Sequence, residues 1–182
     1  MGLYQKCIPD YYYGSIFEIP YEALKEQGVS TLFFDLDNTI IGYDEDHLSE
    51  EQIMFLTKLE ADFKLVVLSN SGYKRVSKAL SKTDFKYVYH SKKPLKFGFK
   101  KALKLSDVKA EKVMVIGDQI MTDVLGAHRT KLKVLLIKSV KRKSERKITQ
   151  FNRKIESFIL KKISKKYPKL YQSRLEKYVS DH

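Results

Sequence analysis

Two aspartates, separated by one residue, follow an apolar run near the start of the chain. Asp35 and Asp37 come directly after Leu32, Phe33 and Phe34. Because residues i and i+2 of an extended chain point to the same side, both carboxylates can face one site at the end of a buried strand. Carboxylates this close repel each other and resist burial. A hard divalent cation such as Mg²⁺, which prefers oxygen ligands, would offset that repulsion, so the pair predicts metal-assisted chemistry.

A second pair of aspartates follows another apolar run. Asp118 and Asp123 come after residues 113–116, with Gly117 between the run and the first acid. Taken alone, two such acids could cap a helix N-terminus and interact with its dipole. Because Asp118, like Asp35, follows a strand-like run, the sequence indicates that both pairs belong to one site.

The elements that must position these acids alternate along the chain. Apolar runs predict strands over residues 31–34, 64–68, 86–89, 113–116 and 133–137. Helices are predicted over residues 21–27, 49–59, 74–80, 96–105 and 122–130. Continuously apolar strands separated by helices are typical of a parallel sheet covered on both faces, so we expect a three-layer, Rossmann-like α/β fold.

Several polar side chains directly follow the predicted strands. They are Asp35, Asp37, Ser69, Asn70 and Asp118. In parallel α/β sheets, ligands bind at the carboxyl ends of the strands, near the point where the strand order reverses. We therefore expect all of these residues to share one site at one edge of the sheet.

Four short motifs, in order over roughly residues 31–137, together resemble the haloacid dehalogenase (HAD) superfamily of phosphotransferases. They are Asp35-Leu36-Asp37-Asn38-Thr39, then Ser69, then Lys93-Pro94, and finally Gly117-Asp118 with Thr122-Asp123. This resemblance implies that Asp35 is a nucleophile forming an aspartyl phosphate and that Asp37 is a general acid and base.

The same resemblance implies roles for the remaining motif residues. Mg²⁺ would be held by Asp35, by the backbone carbonyl of Asp37 and by Asp118, with Asp123 in support. Thr39, Ser69 and Asn70 would contact the phosphoryl group, and Lys93 would hold nucleophile and phosphate together. From the residues alone, Ser69 could instead cap the next helix, and Lys93 could be a solvated charge.

A narrower resemblance covers nearly the whole chain. The motifs above, together with Pro9-Asp10 and residues 151–156, are similar to the bacterial YqeG family of HAD subfamily IIIA. That family is similar to the mitochondrial phosphatidylglycerophosphate phosphatases, which implies a phospholipid headgroup as one candidate substrate. The spacing from Asp37 to Ser69 and from Ser69 to Lys93 leaves no room for a cap domain, and an open site suits a large or surface-presented phosphomonoester.

Charge is distributed unevenly along the 182 residues. Residues 138–182 contain 15 lysines and arginines and 4 acids, whereas residues 1–137 contain 20 basic and 18 acidic residues. We therefore divide the chain into an N-terminal packing segment (1–28), a phosphatase core (29–140) and a basic helical extension (141–182).

The single cysteine, Cys7, excludes an intrachain disulfide and fits a reducing compartment. Neither a signal peptide nor an apolar run long enough to span a membrane is present, so we expect a cytoplasmic protein, peripheral on the inner membrane face if its substrate is a lipid.

The basic extension is amphipathic, and its sequence is compatible with more than one binding partner. Its apolar residues recur at helical spacing, namely Ile148, Phe151, Ile155, Phe158, Ile159 and Ile163. This face could anchor the protein on anionic lipid, or it could pack on the core. The alternative functions are a phosphatase for a soluble metabolite or nucleotide, and a module that binds nucleic acid or the ribosome.

Overall fold

Six parallel strands form one central sheet in the computed structural model, which describes residues 2–140 and 147–181, with the backbone alone for 147–154. The strands are β1 (Tyr11–Tyr13), β2 (Thr31–Phe34), β3 (Lys64–Leu68), β4 (Lys86–Val88), β5 (Val113–Gly117) and β6 (Lys133–Ile137). Their order across the sheet is β1-β6-β5-β2-β3-β4, and every neighbouring pair is parallel. The predicted α/β class with a central parallel sheet is confirmed.

Helices connect the strands and cover both faces of the sheet. They are α1 (Tyr21–Glu26), α2 (Glu50–Leu59), α3 (Tyr73–Ala79), α4 (Lys96–Ser106), α5 (Leu125–Arg129), α6 (Lys147–Lys166), α7 (Pro168–Arg174) and α8 (Glu176–Ser180). The start of α2 is fixed by a capping box, because Ser49 accepts from the Gln52 backbone N–H and Gln52 accepts from that of Ser49.

Alternate residues of each strand enter two separate cores, as the twofold repeat of a strand requires. Leu32, Phe34, Met114 and Ile116 pack under α1, α2 and α3, whereas Phe33 and Val115 pack under α4, α5 and α6. Burial on both faces explains why these strands are continuously apolar, and it makes the carboxyl edge of the sheet a rigid platform.

The edge strand β1 is a feature that the sequence interpretation missed. No strand was predicted before residue 31, but the backbone of Tyr11–Tyr13 pairs with Leu135–Ile137 of β6. Tyr11 and Tyr13 pack against one core and Tyr12 against the other. Three aromatic residues suit a strand, yet a run this short gives no alternating pattern to identify it.

The C-terminal helices pack against the same core as α4 and α5. Ile159 and Ile163 of α6 are buried, and the hydroxyl of buried Tyr178 donates to the Glu156 carboxylate. Phe158, by contrast, is 58% exposed. Of the two interpretations of the apolar face, packing on the core describes Ile159 and Ile163. The side chains of Ile148 and Phe151 are not among those that the structure describes, and neither is the backbone of residues 141–146. The division of the chain at residue 140 therefore stays a prediction.

The segments between the motif residues are short, as expected for a site without a cap. Only α2 and β3 with their loops lie between Asp37 and Ser69, and only α3 and β4 lie between Ser69 and Lys93. Within the described ranges, no helix combines the length and the apolar character that crossing a membrane requires.

Candidate active site

Five strand ends at the carboxyl edge of the sheet supply the polar side chains of the site. Asp35 follows β2, Ser69 follows β3, and Asp118 follows β5. Lys93 lies in the loop between β4 and α4, and Ser139 follows β6. The parallel arrangement brings these five ends together, so residues more than 100 positions apart in the chain meet in one place.

The Lys93 ammonium group is at the centre of the site. Its Nζ lies 2.5 Å from Asp35 Oδ1 and 2.7 Å from Asp123 Oδ1. The side chains of all three residues are at most 8% exposed. Lys93 is therefore a buried bridge between two carboxylates and not a solvated surface charge.

Burial and neighbouring charges shift the pKa values of both Asp35 and Lys93. Burial raises the pKa of Asp35 well above its ordinary value; Lys93 opposes that shift, and the carboxylates of Asp123, Asp118 and Asp37 add to it. Burial acts to lower the pKa of Lys93, but the Asp123 and Asp35 carboxylates outweigh it and raise that pKa. Lys93 consequently stays charged, while the ionised form of Asp35 is disfavoured until a further cation approaches.

The acidic cluster fits a divalent cation. Asp35, Asp118 and Asp123 are all buried, and each offers an oxygen within 4.8 Å of the others. A set of carboxylate oxygens suits a hard cation such as Mg²⁺. The carboxylate of Asp37 is outside this cluster, which leaves only its backbone carbonyl for the expected metal contact.

Asp123 is held by protein donors on both of its oxygens. Oδ1 accepts from Lys93, while Oδ2 accepts from the Gln119 backbone N–H and the Thr122 hydroxyl, both at 3.2 Å. These contacts suit a residue that orients Lys93 better than a direct metal ligand. Asp118 has a different donor from those of Asp123, because its Oδ2 accepts from the hydroxyl of Ser139.

The turn after β5 is π-helical and aims Asp123 back at the strand. The sequence predicted a single helix over residues 122–130, but Ile120–Val124 form a π-helical turn that leads into α5. A Cβ added at Gly117 would lie 2.3 Å from Asp123 Cγ, so only glycine allows this approach. Single π-turns are frequent at functional sites.

Asp37 is held by a group of donors that the sequence did not reveal. Its Oδ1 lies 3.0 Å from Arg75 Nε and 2.9 Å from Nη2, and its Oδ2 accepts from the Ser71 hydroxyl at 2.6 Å. The Arg75 guanidinium also donates to the carbonyls of Gly42 and Glu45. Arg75 therefore fixes both Asp37 and the loop that follows it. Nothing in the spacing of the sequence distinguished it from the other cations of α3.

The three predicted phosphate contacts have different surroundings. The Thr39 hydroxyl donates to Asp35 Oδ2 at 3.2 Å, and the Ser69 hydroxyl donates to Asp37 Oδ2 at 3.3 Å. The Asn70 side chain instead organises the loop of Lys93, because its Oδ1 accepts from the Ser91 hydroxyl and the Lys93 backbone N–H, both at 2.7 Å. Its Nδ2 donates to the Lys93 carbonyl. Thr39 and Ser69 thus adjoin Asp35 and Asp37, whereas Asn70 supports Lys93.

Known proteins are similar to this chain in sequence. A family model described as HAD-hydrolase-like matches residues 91–160. The "Probable phosphatase YqeG" of Bacillus subtilis (strain 168) is 33% identical over 160 residues, which covers 87% of this chain and 92% of that protein.

Solved structures with similar folds are more distant. The cobalt-bound deoxy-D-mannose-octulosonate 8-phosphate phosphatase YrbI of Haemophilus influenzae is 14% identical, with a TM-score of 0.47 over 75% of this chain and 90% of that one. The magnesium-bound putative HAD-hydrolase YfnB of Bacillus subtilis is 20% identical, with a TM-score of 0.44 over 49% of this chain and 43% of that one.

Proposed function

Because the chain belongs to the YqeG family of HAD phosphatases, we propose that it hydrolyses a phosphomonoester through an aspartyl phosphate on Asp35. The observation that carries this proposal is the buried bridge of Lys93 between Asp35 and Asp123, with Asp118 in the same cluster. A lysine held this way counters the repulsion between an anionic nucleophile and an anionic substrate.

The proposed reaction has two displacements. A carboxylate oxygen of Asp35 attacks phosphorus, and the bond to the leaving oxygen breaks as that oxygen takes a proton from Asp37. Asp37, now a carboxylate, removes a proton from a water molecule that attacks the aspartyl phosphate and releases inorganic phosphate. Thr39, which donates to Asp35, and Ser69, which donates to Asp37, would orient these two groups.

Asp35, Asp118 and the backbone carbonyl of Asp37 would hold Mg²⁺. When bound, the cation supplies positive charge that stabilises the phosphoryl oxygens. The pKa of Asp35 is raised, first by its burial, so its ionised form is disfavoured in the protein alone. A bound cation would favour the ionised form, which is the form that acts as the nucleophile.

We propose phosphatidylglycerophosphate as the substrate, on the resemblance to the mitochondrial phosphatases and on the absence of a cap between the described motif residues. The test is phosphate release by the full chain from this lipid in mixed micelles and from a panel of soluble phosphoesters, each with Mg²⁺ and with a chelator. We expect Mg²⁺-dependent release that is fastest with the lipid. Release only from soluble esters would reject the lipid and keep the chemistry, whereas release from nothing would reject both.

Arg75 is expected to be a positioning residue for Asp37. Because the Arg75→Met variant loses the contacts to Asp37, Gly42 and Glu45, we expect kcat to fall about 10- to 100-fold with little change in KM. Arg75→Lys, which keeps the charge but not the planar group, should recover only part of the loss. Lys78→Met is the matched control on α3, because Lys78 pairs with exposed Asp46. An equal loss in the control, or a change in KM alone, would contradict this role.

A further inference from the structure

Four large apolar side chains are exposed beside the Lys93 loop. Tyr73 is 56% exposed, Tyr89 37%, Leu95 55% and Phe97 58%. They are four of the eleven large hydrophobic residues that are exposed in the described part of the chain. Exposed apolar clusters of this kind mark surfaces that contact another protein, a membrane or a ligand.

Lysines are interleaved with these side chains. The Lys101 ammonium lies 5.4 Å from the centre of the Tyr89 ring, and that of Lys92 lies 5.9 Å from the Phe97 ring. Tyr73 and Tyr89 are in edge contact, with ring centres 5.5 Å apart. We refer to the six residues Tyr73, Tyr89, Lys92, Leu95, Phe97 and Lys101 as the β4-loop patch.

The segment that contains the patch is strongly cationic. Residues 69–106 include eleven lysines and arginines and a single acid, Asp84. Asp84 precedes β4, so it lies at the amino end of the strand, away from the patch. Lys82 and Lys86 lie at the same amino end as Asp84, whereas residues 89–101, which form the loop after β4 and the first half of α4, contain five lysines and no acid.

The acidic loop after Asp37 lies against a different face of α3. Arg75 and Lys78 contact this loop, through Glu45 and Asp46 respectively. At 100° per residue, Tyr73 is on the opposite face of the helix from both cations. The acids of the loop therefore do not offset the positive charge of the patch.

The backbone that presents the patch is fixed. The His90 N–H donates to the Ser71 carbonyl and the Ser91 N–H to that of Ser69, at 2.9 and 3.0 Å. His90 and Lys92 both have positive φ angles, 46° and 56°, which non-glycine residues rarely adopt. Strained backbone of this kind persists where the surrounding structure holds it, and it clusters at functional sites.

From this combination we propose that the β4-loop patch docks the protein on an anionic lipid surface. Exposed aromatic and aliphatic side chains enter the boundary between headgroups and acyl chains, while neighbouring lysines contact anionic headgroups. A nucleic-acid surface fits less well, because Leu95 cannot stack on a base and the cations of the patch are lysines, which lack the planar fork of arginine.

Docking here would bring the site to the membrane. Lys93, which contacts Asp35, lies in the same loop as Lys92 and Leu95, so a surface that contacts these two residues lies beside the loop that reaches Asp35. This step rests on the proposed catalytic role of Lys93. The docking itself requires no turnover, and vesicle binding can be measured without substrate or metal.

The chain contains no tryptophan, so a single introduced tryptophan reports on its own surroundings. In full-length Phe97→Trp, vesicles of phosphatidylcholine and phosphatidylglycerol should shift the emission to shorter wavelength, and brominated lipid should quench it. Met54→Trp is the matched control, because Met54 is 72% exposed on α2. Equal quenching in both variants, or none in Phe97→Trp, would overturn the proposal.

Removing the apolar side chains gives an independent measurement. We expect Leu95→Ser with Phe97→Ser to weaken binding to the same vesicles about tenfold or more, with the melting temperature confirming that the variant folds. Phe158→Ser removes an equally exposed ring on α6, beside Lys162, and should leave vesicle binding unchanged. Loss of binding only in Phe158→Ser would assign the contact to the C-terminal helix. Weakened binding of an RNA probe at the same salt, with vesicle binding intact, would assign the patch to nucleic acid.

Discussion

The Asp35→Asn variant is expected to lose phosphatase activity by about 10⁴-fold or more while remaining at least as stable as the wild-type protein. The amide of asparagine cannot form the aspartyl phosphate, so the variant lacks the proposed nucleophile. Phosphate release and melting temperature, both measured on the full chain, test the two halves of this prediction.

The expected stability of the Asp35→Asn variant follows from the charges around Asp35. Burial raises its pKa, and three neighbouring carboxylates add to that shift, so the ionised side chain weakens the folded state in the absence of metal. Asparagine removes the charge and keeps the shape, and Lys93 retains its contact with Asp123 at 2.7 Å. A gain of about 1 kcal/mol would raise the melting temperature by about 2–4 °C.

Asp62→Asn is the matched control for this change. Asp62 pairs with Lys25 at a partly exposed position remote from the acidic cluster, so neither activity nor stability should change by much. Residual turnover in Asp35→Asn close to the wild-type rate would contradict the nucleophile assignment. A clear fall in its melting temperature would instead show that the charge of Asp35 stabilises the fold.

Most of the sheet and the meeting of its acids could be predicted from the sequence. The strands β2, β3 and β6 coincide with the predicted residues, because both of their faces are buried and their apolar runs have clear ends. Once the strands are parallel, topology alone carries Asp35 and Asp118 to one edge.

What the sequence could not supply depends on contacts between distant segments. The three-residue strand β1 exists because β6 offers an open edge, and Tyr11–Tyr13 give no pattern of their own. Arg75 is one cation among many until the fold puts it 3.0 Å from Asp37. The helical spacing of Ile159 and Ile163 predicted an apolar face but not the surface that it covers.

Replacing Lys93 by Met should abolish activity and also destabilise the folded protein by about 3–5 kcal/mol at neutral pH, since it leaves buried carboxylates without their ammonium partner. The raised pKa of Lys93, which its two carboxylates produce against the effect of burial, means that its charge contributes throughout the range below alkaline pH. Lys96→Met, at an exposed position on α4, should keep wild-type stability.

The pH dependence of this loss separates an electrostatic cause from a packing defect. Without Lys93, the pKa of Asp35 in the folded variant should lie above that in the unfolded chain, because burial and like charges both oppose its ionisation. The folded state then binds more protons than the unfolded state, so stability rises as the pH falls. We therefore expect the difference in unfolding free energy from wild type to be smaller at pH 5 than at pH 7, and Mg²⁺ to stabilise the variant as well. A difference that is independent of pH and of Mg²⁺ would attribute the loss to packing, and Lys93 would then not act by balancing the charge of the acidic cluster.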